Sequence, residues 1–190
     1  MANREALREL QSRLAERLQQ VRSADVRTAA WLAVECGAHG FLFPLAGAGE
    51  IFPASTLMPV PHTQPWFAGV ANLRGGLHGV VDLSLFLGLE DLSAQRDTSL
   101  LVALNPSLVS HSAVMVQRLA GLRHVDQMQR EPDEPGVRPA FAGPRWRDAQ
   151  GRVWQEIDLA ALSRQGEYLA IGVASPAPGI SASDPAGAAP

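Results

Sequence analysis

"PWFAGVANLRGGLHGVVDL", residues 65–83, sets Asn72 and Arg74 among glycines between two apolar runs. A Gly-rich stretch with one cation can cradle a phosphate, take part in chemistry, or shape a surface that another protein grips. Composition removes the first option. All sixteen basic residues are arginine, whereas a Walker phosphate loop and a Schiff-base enzyme both need a lysine. Pro65 can open a short helical turn, where its missing N–H is not needed. Trp66, Phe67 and Val70, at helical spacing, then offer one apolar face. Gly69 and Gly75 permit positive φ or close backbone approach. Arg74 stands at a turn before a strand that is apolar on both sides, so its guanidinium needs a carboxylate partner if it is partly buried.

Outward from this stretch, short extended runs are punctuated by Gly and Pro: "AAWLAVE", "GFLFPL", "GEIFPA", "SLLVALN", "AVMVQRL", "GLRHVDQM", "RVWQEIDL" and "YLAIGVA". Each is of strand length and rich in β-branched or aromatic residues, which predicts a mainly β sandwich or barrel. "SLLVALN" is apolar on both faces and reads as a central strand. In the last run Leu169, Ile171 and Val173 share one face. Three segments break the pattern. "DLSLFLGLEDL", 82–92, has Leu83, Phe86 and Leu87 at helical spacing with Gly88 as a cap. "REPDEPGVRPAFAGPR", 130–145, reads as a Pro-rich loop. The tail at 175–190 has too little apolar bulk to order itself and reads as disordered.

Ahead of the strands, Leu7, Leu10, Leu14, Leu18 and Val21 recur at spacings of 3 and 4. They predict an amphipathic helix over residues 4–22, whose stripe packs on the domain's own sheet or docks on a partner helix. The chain therefore divides into an N-terminal helical segment (1–28), one β domain (29–174) and a tail (175–190), within the size range of a single domain. No apolar run approaches the ~20 residues of a membrane helix. "MANREALREL" lacks the apolar core of a secretory signal, so a cytoplasmic protein without direct membrane insertion is expected. A net charge of −3 with dispersed arginines disfavours nucleic acid as a partner.

The sequence offers little to catalysis. Cys36, the single cysteine, cannot form an internal disulfide or a cysteine-based metal site. In "WLAVEC" it shares a strand face with Leu32 and Val34, as a buried structural thiol would. His39, His62, His78, His111 and His124 are scattered with no pair at ligand spacing, so no metal site is predicted. Asp82, Asp126, Asp148 and Asp158 could supply a carboxylate pair, but most sit beside turns or helix starts, where capping accounts for them. No catalytic residue and no cofactor are assigned.

The stretch "PHTQPWFAGVANLRGGLHGVVDL" resembles the signature of CheW-like adaptor domains: a Pro, an aromatic, Gly-Val, Asn-x-Arg-Gly, an apolar strand and Asp-Leu in that order. Pro65, Phe67, Gly69, Val70, Asn72, Leu73, Arg74, Gly75, Val80, Val81, Asp82 and Leu83 fall in the family's places. Upstream "WLAVECGAHGFLFPL" and "GEI", and downstream "SLLVAL" and "AVMVQRLAGL", extend the likeness over roughly residues 29–174. The pattern departs at Gly79, where family sequences often carry Pro and where glycine is expected to loosen a strand, and at Gln117, where Asp is common. "RWRDAQGRVWQEIDLAAL" and the N-terminal helix are more similar to the pilus-associated (PilI-type) branch than to the flagellar one.

The resemblance implies two packed, small, SH3-like five-stranded β-barrels with short helices and an N-terminal amphipathic helix. It implies a non-catalytic adaptor that couples the cytoplasmic tip of a methyl-accepting chemoreceptor to a CheA-type histidine kinase in a membrane-associated array, controlling type IV pilus twitching motility. The alternatives are a flagellar coupling protein and a small hydrolase-like enzyme using Asp82 with a nearby His. By the same resemblance Glu50 is the carboxylate for Arg74, a pair that either maintains the fold or touches a partner. Glu50, Ile51, Val70, Asn72, Arg74, Gly75 and Asp82 are the candidate partner-binding residues.

Overall fold

The computed structural model describes residues 29–54, 57–89, 98–108, 110–133, 136 and 138–173. The predicted N-terminal helix and the 175–190 tail lie outside the described residues.

Eleven strands are described: β1 (Ala29–Cys36), β2 (His39–Pro44), β3 (Ala48–Pro53), β4 (Phe67–Leu73), β5 (Gly76–Asp82), β6 (Leu100–Leu104), β7 (Ser112–Val116), β8 (Arg118–His124), β9 (Met128–Arg130), β10 (Ala142–Asp148) and β11 (Val153–Ile157). Three short helices accompany them: α1 (Leu83–Phe86), α2 (Leu159–Ser163) and α3 (Gly166–Leu169). One sheet has the order β8-β1-β2-β11-β10-β9 and the other β3-β6-β7-β5-β4. The chain leaves the first sheet after β2, builds the whole second sheet, and returns at β8.

Both sheets curl. The outer strands β8 and β9 of the first are joined by a single 3-10 turn, Val125–Gln127. In the second, four residues separate Pro53 at the end of β3 from Met58, which pairs with Val70 on the opposite outer strand, β4. The mainly β, two-unit architecture is the expected one. The first sheet has six strands rather than five because three residues, Met128–Arg130, add to its margin.

Period-2 alternation distributes the core. On β1, Leu32, Val34 and Cys36 join Phe41 and Phe43 of β2 in a seam, while Trp31 and Ala33 turn the other way toward Leu42, Met128 and Trp154. On β6, Val102 and Leu104 join the same seam, while Leu101 and Ala103 pack inside the second barrel with Leu73, Val80 and Met115. The "SLLVALN" strand is apolar on both faces because one face fills a barrel and the other fills the seam between barrels. Four rings extend that seam: Trp66 lies 5.2 Å from Phe86 and 6.5 Å from Tyr168, and Phe86 lies 6.0 Å from Phe141. Phe141 and Tyr168 are buried, which contributes on the order of 1.5–3 kcal/mol each, and the half-buried Trp66 and Phe86 contribute less.

Three local expectations change. Trp66, Phe67 and Val70 do share the seam, but through a bulge in β4 between Phe67 and Gly69, not through a helical turn. The extra residue of a bulge shifts the alternation and mimics helical spacing. "YLAIGVA" is not a strand: α3 ends at Leu169, and beyond it only Gly172 bridges to Thr63. β10 begins inside the Pro-rich loop, with a register shift between Ala142 and Arg145 that accommodates Pro144.

Gly79 does not loosen its strand. It pairs with Val70 on one side and Ser112 on the other, and its N–H donates to the His111 carbonyl at 3.0 Å, a bond that proline could not make. Gln117 accepts the Gly37 N–H at 2.9 Å through its side-chain carbonyl, which needs an oxygen and no charge.

Candidate functional site

The β4–β5 hairpin turns on two residues, Arg74 and Gly75, with Leu73 opposite Gly76. Both have positive φ, 51° and 85°, the signature of a type I′ turn, whose twist matches that of the flanking strands. Asparagine or glycine is usual at the first of these positions, so an arginine there is unusual. Asn72 supports it: its Oδ1 accepts the Gly75 N–H at 2.8 Å. At the start of the motif Gly69 has φ +133°, and a Cβ there would lie 2.2 Å from the Met58 carbonyl oxygen. Only glycine lets Met58 pair with both the N–H and the carbonyl of Val70, at 2.9 and 2.8 Å.

Arg74 Nε lies 2.6 Å from Glu50 Oε2 on β3, with the two side chains 76% and 54% exposed. The resemblance therefore named the right partner, but the condition of partial burial is not met. Below the pair is a cavity of about 260 Å³ at the mouth of the second barrel, with Phe52, Leu73, Ala103 and Leu104 among its apolar walls and Glu50, Arg74 and His78 beside them. Asn72 is exposed at the same turn, and Ile51, next to Glu50, is 40% exposed. Val70 lies on the strand face of Asn72 and is half-buried against the seam.

Asp82 stands apart from these six. It is buried, caps α1 by accepting the Ser84 and Leu85 N–H groups at 3.0 and 3.3 Å, and its own N–H donates to the Trp66 carbonyl. Capping likewise accounts for Asp158, which accepts from Ala160 and Ala161 at the start of α2. Cys36 is buried, and burial pushes its thiol up from the usual range despite a hydrogen bond with Ser84. It packs in the seam as a buried structural thiol.

Sequence reasoning did not find two further groupings. Glu35, on β1, is buried and paired with Arg118 and Arg152. Burial alone would raise its pKa, but the two guanidinium groups outweigh that and hold the carboxylate below its ordinary range. These partners are 83 and 117 residues away, so no local pattern could reveal them. His78 and His111, distant in sequence, stand with ring centroids 5.6 Å apart. No group of three or more His, Cys, Asp or Glu side chains that could hold a metal ion occurs among the described residues. No helix among them is long and apolar enough to cross a membrane.

Comparison with known proteins agrees with this picture. The chain is 27% identical over 141 residues to the protein PilI of Pseudomonas aeruginosa, covering 72% of this chain and 76% of that one. The scaffolding protein TtCheW from Thermoanaerobacter tengcongensis has the same fold, with a TM-score of 0.61 at 14% identity over 76% of this chain and 99% of that structure. Residues 30–167 match the CheW-like domain family. The chain belongs to the CheW-like domain family, as a non-catalytic scaffold of the chemotaxis-adaptor type.

Proposed function

We propose that this chain couples the cytoplasmic tip of a methyl-accepting chemoreceptor to a CheA-type histidine kinase, in a cytoplasmic array that controls type IV pilus twitching motility. The observation that carries the reading is the exposed, conformationally fixed mouth of the second barrel. There Arg74 is held at positive φ and bonded to Glu50, beside the exposed Ile51 and Asn72 and above an apolar cavity. Such a surface offers shape and apolar area to another protein. Val70, Asn72, Arg74, Gly75, Glu50 and Ile51 form the docking face, and Asp82 acts behind it by fixing α1. A receptor helix tip laid between the barrels would present apolar anchors at i, i+3, i+4 and i+7. The likeness to PilI favours the pilus pathway over the flagellar one. The working division is a 1–28 segment, a 29–174 domain and a 175–190 tail.

A coupling of about 1–3 kcal/mol between receptor state and kinase output suffices for such a role. The test is reconstitution of receptor, kinase and this chain. A ternary complex whose kinase output responds to the receptor only when the chain is present supports the proposal, while unchanged output and no ternary complex overturn it. Loss of twitching with intact swimming on deletion separates the pilus pathway from the flagellar one.

A further inference from the structure

We propose that His78 and His111 form a two-imidazole site for a divalent transition-metal ion of the zinc, nickel or copper class at the mouth of the second barrel. Strands β5 and β7 run parallel with Gly79 opposite Ser112, so the residues one step earlier, 78 and 111, are cross-strand neighbours. The Gly79 N–H bond to the His111 carbonyl, 3.0 Å, fixes that register at the two histidines themselves. His78 is half-buried in the cavity wall, and His111 is exposed beside it.

Two features suit the pair to a metal. His78 Nδ1 lies 3.0 Å from the Gly76 carbonyl oxygen. That oxygen can only accept, so in the neutral ring Nδ1 carries the proton and Nε2 holds the lone pair, the arrangement in which a second bond orients a ligating histidine. The ring spacing also fits. With metal–nitrogen bonds of 2.0–2.1 Å and each nitrogen about 1.2 Å from its ring centre, two imidazoles sharing a tetrahedral ion have centroids about 5 Å apart. The observed centroids are 5.6 Å apart with planes at 68°, and His111 is the exposed member of the pair, the one whose ring would turn to direct a nitrogen at a shared ion. Arg74, the cation in the same cavity wall, is already matched by Glu50. With two protein ligands the remaining positions belong to water, so binding is weaker than at a closed four-ligand site. Imidazole donors select zinc, nickel or copper over magnesium.

The test titrates the full chain with ZnCl2 and NiCl2, read by calorimetry and by NMR of the histidine rings. One equivalent is expected to shift the His78 and His111 resonances and leave those of His39, His62 and His124 in place, with no response to MgCl2. His111→Asn, at an exposed ring, is expected to leave thermal unfolding unchanged and to weaken binding at least tenfold. His78→Asn should lose binding to a similar degree. Undiminished binding in His111→Asn, or ring resonances that neither metal moves at millimolar concentration, would overturn the site. The outcome is independent of whether the chain bridges a receptor and a kinase.

Discussion

Arg74 and Glu50 meet at 2.6 Å although they come from opposite margins of one sheet, Glu50 on β3 and Arg74 at the tip of the β4–β5 hairpin. In a flat sheet those positions would be about 15–20 Å apart, at the usual strand spacing. The ion pair is therefore a consequence of curling, and it spans the mouth that curling creates. It does not cause the curling: the apolar interior around Leu73, Val80, Leu101 and Met115 does that, and an exposed pair adds little to it.

From that ordering of causes, Arg74→Glu and Glu50→Arg should each reduce stability by less than about 1 kcal/mol, as for an exposed pair, while each weakens assembly with receptor and kinase. The double swap should restore part of the assembly, since residues in contact couple non-additively. Arg74→Gly separates the roles more sharply: it relieves about 1–2 kcal/mol of left-handed strain, offset by the entropy that glycine adds to the unfolded chain. Chemical denaturation should show little change while pull-down of the kinase falls. Additive swaps, or a large loss of stability in Arg74→Gly, would show that the pair serves the fold.

Gly69 and Gly75 both have positive φ, yet alanine should affect them very differently. At Gly75 an added Cβ meets nothing within 4 Å, so the cost is that of the left-handed backbone alone, about 1–2 kcal/mol. At Gly69 the Cβ would collide with the Met58 carbonyl 2.2 Å away. Relieving that breaks the Met58–Val70 pairing in addition to straining the backbone, for a total on the order of 3 kcal/mol or more. Urea midpoints of the two variants measure the difference. Equal losses would mean that the 57–60 segment does not cover β4.

What could be read from the sequence was local. The strand-length apolar runs "AAWLAVE" and "SLLVALN" located β1 and β6, and the asparagine, arginine and glycine of the signature located the hairpin tip, because short strands and two-residue turns are written in neighbouring residues. The bulge at Gly69 was misread because its inserted residue imitates helical spacing. "YLAIGVA" was misread because Tyr168 is buried at the seam from the short helix α3, so its place depends on Trp66 and Phe86, about 100 and 80 residues earlier in the chain. Glu35 with its two arginines, and His78 beside His111, depend on strand order, which short-range pattern does not encode.

Glu35 should make the fold sensitive to acid. Its carboxylate is held below the ordinary range by Arg118 and Arg152. A group whose folded pKa is depressed contributes stability above its unfolded value, and that contribution disappears as pH falls through the folded one. Glu35→Gln is therefore expected to cost on the order of 2 kcal/mol at neutral pH, reduced from the range for a fully buried pair because Arg118 is largely exposed. The difference from the parent should shrink as the solution is taken below the usual carboxylate range. A gap in urea midpoints that stays constant into acid would mean the ion pairs contribute nothing to it.

Tyr168 gives the most direct optical check on how the two barrels are joined, because it is the only tyrosine in the chain. It is buried beside Trp66 and Phe86 and hydrogen-bonded to Ser112. Burial pushes its phenol up to about 12, with the Ser112 bond acting in the opposite sense. The folded value lies above the ordinary one near 10, so the stabilising share is complete below pH 10 and is lost as pH rises through about 12. Phenolate absorbance near 295 nm should therefore appear around pH 12 in the native protein and around pH 10 in concentrated urea. Tyr168→Phe leaves the Ser112 hydroxyl without its partner and should cost about 1–2 kcal/mol, and adding Ser112→Ala should recover part of that. No other residue can produce the phenolate signal. A native midpoint near pH 10 would place Tyr168 in solvent, and the ring cluster that α3 contributes to the seam could not then be what holds the barrels together.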